Sequence, residues 1–173
     1  MRKYWLVGSL GLLLGGKFSA AAQRPKEPDV PFGRANTVLV QTATSSDSVL
    51  TQLRHHLATH GFVLDSLDKT RGLLTTRVQA SSQTVAGRMK IRAIRVGEVW
   101  KLTGLYLIPG PLNSGATAFP AEFLGLESAP NKTAFREVIA AAHAIPRGTL
   151  RYSRGKVRFG AFTKLEDALK MPW

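Results

Sequence analysis

Arg88-Met89-Lys90-Ile91-Arg92-Ala93-Ile94-Arg95-Val96-Gly97-Glu98-Val99-Trp100-Lys101-Leu102-Thr103-Gly104-Leu105-Tyr106-Leu107-Ile108 is the stretch that decides the fold. Met89, Ile91 and Ala93 alternate with Arg88, Lys90 and Arg92, the period of two expected of a strand with one face in the core. Gly97-Glu98 is a Gly-X pair suited to a two-residue turn, so strands over 88–96 and 99–108 are expected to lie antiparallel. The alternation breaks at Ala93-Ile94, after which Ile94 and Val96 take the other parity. A bulge, or burial of both faces, would account for that break.

Toward the N-terminus, Phe62–Ser66 and Leu73–Gln79 flank the polar turn Asp68-Lys69-Thr70-Arg71-Gly72 and predict another hairpin. Before it, Val49, Leu50, Leu53 and Leu57 share one face of a helix that runs to about His60 and stops at Gly61. Thr44 with Asp47 resembles a capping box at its start. Thr37–Gln41 is β-branched and reads as a strand.

Toward the C-terminus, residues 109–130 hold Pro109, Pro111, Pro120 and Pro130 with little periodicity, and read as a long loop. Phe119, Phe123, Leu124 and Leu126 argue that part of it packs back on the body. Asn131 is the expected cap of a second helix carrying Phe135, Val138, Ile139 and Ala142, and Pro146 ends it. Leu150–Tyr152 and Val157–Phe159 suggest a third hairpin. Thr163 and Glu166 precede Leu165, Ala168 and Leu169 in a short last helix, stopped at Pro172. Short turns demand antiparallel neighbours, so the fold class is α+β, a mainly antiparallel sheet with two main helices packed on one face.

The first residues have a different purpose. Arg2 and Lys3 precede an uncharged run from Tyr4 to Gly16, and Ala20-Ala21-Ala22 follow. That order is the one a cleavable signal peptide requires, with cleavage before Gln23. Lys17 ends the run short of the roughly 20 apolar residues of a spanning helix, so no transmembrane helix is expected in the mature chain. Pro25, Pro28 and Pro31 mark residues 23–35 as a linker, leaving a single α+β domain over 36–173. Three of the 24 basic side chains leave with residues 1–22, and the net charge of +13 falls to +10. Such an excess favours anionic partners. In an exported protein these are anionic lipid, cell-wall polymer or an envelope protein, with nucleic acid a poor first guess. With no cysteine in the chain, neither disulfides nor thiol acylation enters, and a domain of this size needs no staple.

Between Val49 and Arg77 the sequence has a recognisable cadence: a helix ending in His60-Gly61-Phe62, then Asp65, the turn Asp68–Gly72, and Leu73-Leu74-Thr75-Thr76. It resembles exported bacterial domains of unknown function and, more distantly, the repeated domains of the lipoprotein BamC of the outer-membrane assembly machinery. The resemblance implies a helix gripped by a meander. It carries over no functional residue, and the missing acylated cysteine is a departure from the lipoprotein.

No catalytic, cofactor-binding or metal motif emerges. His56 and His60, four apart, share a helix face as metal-binding pairs do, but no cysteine or nearby glutamate completes a site. Serine-hydrolase elbows, Walker loops and dinucleotide fingerprints are missing from the sequence. Asp65 and Asp68 are a conceivable carboxylate pair, although Asp at a turn has a simpler cause. Asn131-Lys132-Thr133 fits a glycosylation acceptor as well as a helix start. Arg147, Arg151, Arg154, Lys156 and Arg158 interleave with Tyr152 and Phe159, a pattern that protects edge strands or stacks bases. The strongest candidate is an anion-binding row: Arg88, Lys90 and Arg92 on one strand face, with Arg77 and Lys101 as expected neighbours. The expected function is a non-enzymatic periplasmic or envelope binding or accessory domain. The alternative is an exported enzyme with a site under the 109–130 loop, such as a histidine with Asp65 or Glu122. A third reading is a structural protein that lends its sheet edge to another chain.

Overall fold

The computed structural model describes residues 27–80, 88–109, 116–157, 163–170 and 173. The segment 1–22, expected to be a signal peptide, and the start of the expected linker lie outside the described residues. In order, the elements are β1 (Thr37–Gln41), α1 (Ser46–Thr59), β2 (Leu64–Asp68), β3 (Leu73–Thr76), β4 (Gln79–Ala80), β5 (Arg88–Val96), β6 (Val99–Pro109), β7 (Ala116–Pro120), α2 (Pro130–His143), β8 (Thr149–Ser153) and α3 (Leu165–Lys170). The α+β class holds.

The β5–β6 hairpin is the spine. Its register is unbroken from Val96 opposite Val99 at the turn to Arg88 opposite Leu107. Gly97 has φ +62°, which a primed hairpin turn requires at its first central position. No bulge interrupts β5; both faces are partly covered at Ile94, which lies half-buried between Leu73 and Lys101, whereas Val96 is exposed beside the turn. The sheet runs β2-β3-β5-β6-β1-β8, with β4 also on β5 and β7 also on β6, and every pair is antiparallel.

β6 spans 11 residues, whereas β1 covers only its first half, from Val99 to Thr103. The rest of that edge would be left with unpaired backbone groups, which a protein interior does not tolerate. β7 fills it, pairing Ala116–Pro120 with Leu105–Pro109. The expected 109–130 loop is therefore a strand over 116–120. The proline falls at the strand's end, where a missing N–H is harmless.

Both main helices cover one face. Val49, Leu50, Leu53 and Leu57 of α1 and Phe135, Val138, Ala141 and Ala142 of α2 meet Val38, Val40, Ala93, Trp100 and Leu102 of the sheet in one core cluster. Gly104 makes this approach possible. A Cβ there would stand 2.8 Å from Val138 Cγ2 and 3.0 Å from the Ala121 Cβ. α3 packs on the other face, where Ala168 and Leu165 join Leu107 and Ala118.

Several local expectations shift by a residue or more. Ser45, not Thr44, caps α1, accepting from Ser48 N at 3.4 Å. The Thr44 hydroxyl donates instead to the Pro146 carbonyl. Asn131 lies inside the first turn of α2, whose cap is Ala129 with Pro130 following, a position where proline loses nothing. The strand expected over 73–79 breaks between Thr76 and Gln79. Of the third expected hairpin, β8 pairs with β1 and Val157 is not in a strand, while residues 158–162 lie outside the described residues. The arm is docked from Pro28 onward. Tyr152 N donates to Pro28 O, Arg34 N donates to Phe123 O, and Ala35 is buried.

Candidate anion-binding face

A strand buries alternate side chains, so the residues between the core positions of each strand share the face away from α1 and α2. Register fixes which of them are neighbours. One row reads Thr75, Arg92, Thr103, Thr37 and Ser153 across β3, β5, β6, β1 and β8. The adjacent row reads Leu73, Ile94, Lys101, Leu39 and Arg151. Cations are thus set among hydroxyls and aliphatic side chains.

Lys90 is the most enclosed of them, 8% exposed, and its Nζ meets Asp65 Oδ2 at 2.6 Å. The hydrogen bond from Lys90 is the main reason the Asp65 carboxyl is held below its ordinary value; Thr75 and the nearby Arg77 add to it. Arg92 is half-buried. Its Nη1 donates to the Trp173 carbonyl at 3.3 Å, and its guanidinium carbon lies 5.9 Å from the centre of the Trp173 ring. Burial pushes its pKa down, and Arg71 adds to the shift. Lys101 is also half-buried and is pushed down by burial first and by Arg92 second. Among the described residues no Asp or Glu side chain pairs with Arg92 or Lys101.

Two depressions open here. A cavity of about 490 Å³ is lined by Leu73, Thr75, Lys90, Arg92, Leu169, Lys170 and Trp173. Of its three cations, Lys90 is paired with Asp65 and Lys170 with Asp167, and Arg92 has no Asp or Glu partner among the described residues. On the other side of Trp173 a dimple of about 20 Å³ lies among Thr37, Lys101, Thr103 and Lys156. Asn36 places its far wall: its side chain donates to Gly155 O and accepts from Gly155 N, so the chain after β8 is held beside the sheet.

The five expected residues are therefore not one row. Lys90, Arg92 and Lys101 cluster on this face. Arg88 has the same parity but is exposed opposite Leu107, and Arg77 lies just past β3 on the Asp65 side. Sequence reading put Arg151 in a separate basic run and missed Trp173 and Lys170; a lone tryptophan at position 173 carried no signal.

The remaining candidates separate. The His56 and His60 rings lie 4.0 Å apart, and His60 Nδ1 bonds the His56 carbonyl at 2.8 Å. No group of three potential metal ligands occurs among the described residues. Asp68 accepts from Arg71 N in its turn, while Asp65 is engaged with Lys90, so the two carboxylates do different work. Tyr152 is buried with its ring 6.4 Å from Phe135 and presents no surface for a base. Among the described residues no helix is long and apolar enough to cross a membrane. No protein-family model matches the chain, and no curated protein matches it either.

Proposed function

We propose that the protein is exported to the cell envelope and there binds an anionic molecule, as a non-enzymatic accessory domain, through the sheet face away from α1 and α2. The observation that carries this reading is the 490 Å³ cavity lined by Lys90, Arg92 and Lys170, in which Lys90 is paired with Asp65 and Lys170 with Asp167 while Arg92 has no Asp or Glu partner among the described residues. Arg92, and Lys101 on the neighbouring strand, are half-buried cations whose pKa values burial pushes down, and an anion is the partner that relieves them. Leu73, Leu169 and Trp173 line the same cavity. An anionic lipid, with charge beside apolar surface, suits that mixture better than a wholly polar cell-wall polymer. The N-terminal signal pattern and the resemblance of residues 49–77 to exported domains support the address.

The test is vesicle flotation. Vesicles containing phosphatidylglycerol should capture the chain at low salt and release it as salt rises, because exposed charges are screened. Phosphatidylcholine vesicles should not. The variant Arg92→Gln with Lys101→Gln should lose most of the capture. Equal capture by both vesicle types, or none at low salt, sinks the proposal. The address is tested by sequencing envelope-fraction protein, which should begin at Gln23; intact chain from Met1 in the cytosol would overturn it.

A further inference from the structure

At the opposite end of the core, three connections converge: β1 to α1, the β5–β6 turn, and α2 to β8. They border a cleft of about 650 Å³, lined by Thr42, Thr44, Ser45, Ser46, Arg95 and Arg147 among others. We propose that this cleft is a second binding site, for a small phosphomonoester.

Arg95 and Arg147 bring two guanidinium groups to the cleft, and neither has a carboxylate partner among the described residues. Arg95 is oriented by its own strand end. Its backbone N donates to Gly72 O and its Nε donates to Gly97 O at 3.0 Å, which leaves the fork of terminal nitrogens to face outward. Arg147 is presented by a connection that cannot drift. The Pro146 carbonyl accepts from both Thr42 Oγ1 at 2.8 Å and Thr44 Oγ1 at 3.1 Å, tying that turn to the β1–α1 loop. Trp100, 1% exposed, forms the floor.

Two arginine forks beside the first amides of α1 offer donors from several directions. A planar carboxylate is satisfied by one fork, whereas a tetrahedral dianion uses donors all round. The cleft is several times larger than phosphate alone and falls within the range of small-molecule sites, about 300–1,000 Å³. The surplus volume is room for an organic portion. Glu98 at the rim supplies the opposing charge.

This site does not depend on the lipid-binding face, and the two separate experimentally. The full chain is titrated calorimetrically with glycerol 1-phosphate, inorganic phosphate and glycerol. Glycerol 1-phosphate should bind saturably, one per chain, and more tightly than inorganic phosphate. Arg95→Ala and Arg147→Gly should each weaken it about tenfold or more, the loss of a charge-assisted contact. Arg147 has φ +52°, so glycine there relieves backbone strain, and the variant should melt no lower than the parent. Glu98→Gln should strengthen binding, while Arg92→Gln with Lys101→Gln should leave it unchanged. The proposal is overturned by absence of saturable binding, by binding indifferent to both cleft arginines, or by inorganic phosphate binding as tightly as the ester.

Discussion

Gly104 and Asp65 show how single side chains set the terms for their surroundings. Gly104 is the point where α2 comes closest to the sheet, and a methyl group there meets Val138 and Ala121 inside van der Waals distance. Gly104→Ala should therefore destabilise the domain by about 1–3 kcal/mol through overpacking, read as a lower midpoint in urea. Asp65 acts through charge. Its folded pKa lies below the ordinary 3.8 because Lys90 donates to it. That stabilisation is present above the unfolded value and is lost as pH falls through the folded one. Asp65→Asn should reduce stability at neutral pH and flatten its fall below about pH 4. The size of the effect will be small, because the carboxylate is 44% exposed and screened by solvent. Lys101 has the opposite sign. Its folded pKa lies below 10.5, so its charge opposes folding, and stability should rise with pH as that charge is removed below 10.5. Lys101→Met should raise the melting temperature at neutral pH while weakening capture by anionic vesicles. A variant that loses both would mean that Lys101 serves structure alone.

Elements were legible where one periodicity acted alone. The β5–β6 hairpin and α1 followed from alternation, a Gly-X turn and a leucine stripe, because each is built from contacts near in sequence. β7 was not legible. Ala116-Thr117-Ala118-Phe119-Pro120 has no strong strand signal, and the segment is a strand because half of one edge of β6 has no other partner. Ser45 displaced Thr44 as the cap for a similar reason: Thr44 is claimed by a carbonyl more than 100 residues away. The anion-binding cluster was legible in part. Parity on β5 placed Lys90 and Arg92 together, but only the fold brings Lys170 and Trp173 over them. The helix-end histidines illustrate the same limit, since four-residue spacing predicted contact and not its consequence. Burial, then His60 and His55, lower the His56 pKa below 6.5. The folded state therefore resists protonation, and α1 should lose stability as pH falls from about 6.5. His60→Gln should lessen that loss, measurable as a smaller drop in melting temperature between pH 7 and pH 5.

On the scale of the whole molecule, the two faces of the sheet divide the labour. Helices α1 and α2 seal one with a continuous apolar core, and the other keeps its cations, with α3 and Trp173 packed against part of it. The mature charge of +10 expected after signal cleavage sets a long-range field toward anionic surfaces, but a field alone attracts without selecting. Selection requires shape, and Trp173 supplies it by walling the cavity beside Arg92. Replacing Trp173 by Ala should leave the salt-dependent attraction to phosphatidylglycerol vesicles nearly intact, because no charge changes. It should abolish the preference for phosphatidylglycerol over a soluble anionic polymer of equal charge density, because the apolar wall is gone. Competition of the two in one flotation experiment measures that preference directly. If the variant keeps the parent's preference, charge density alone governs binding, and the cavity beside Trp173 is not where the anion sits.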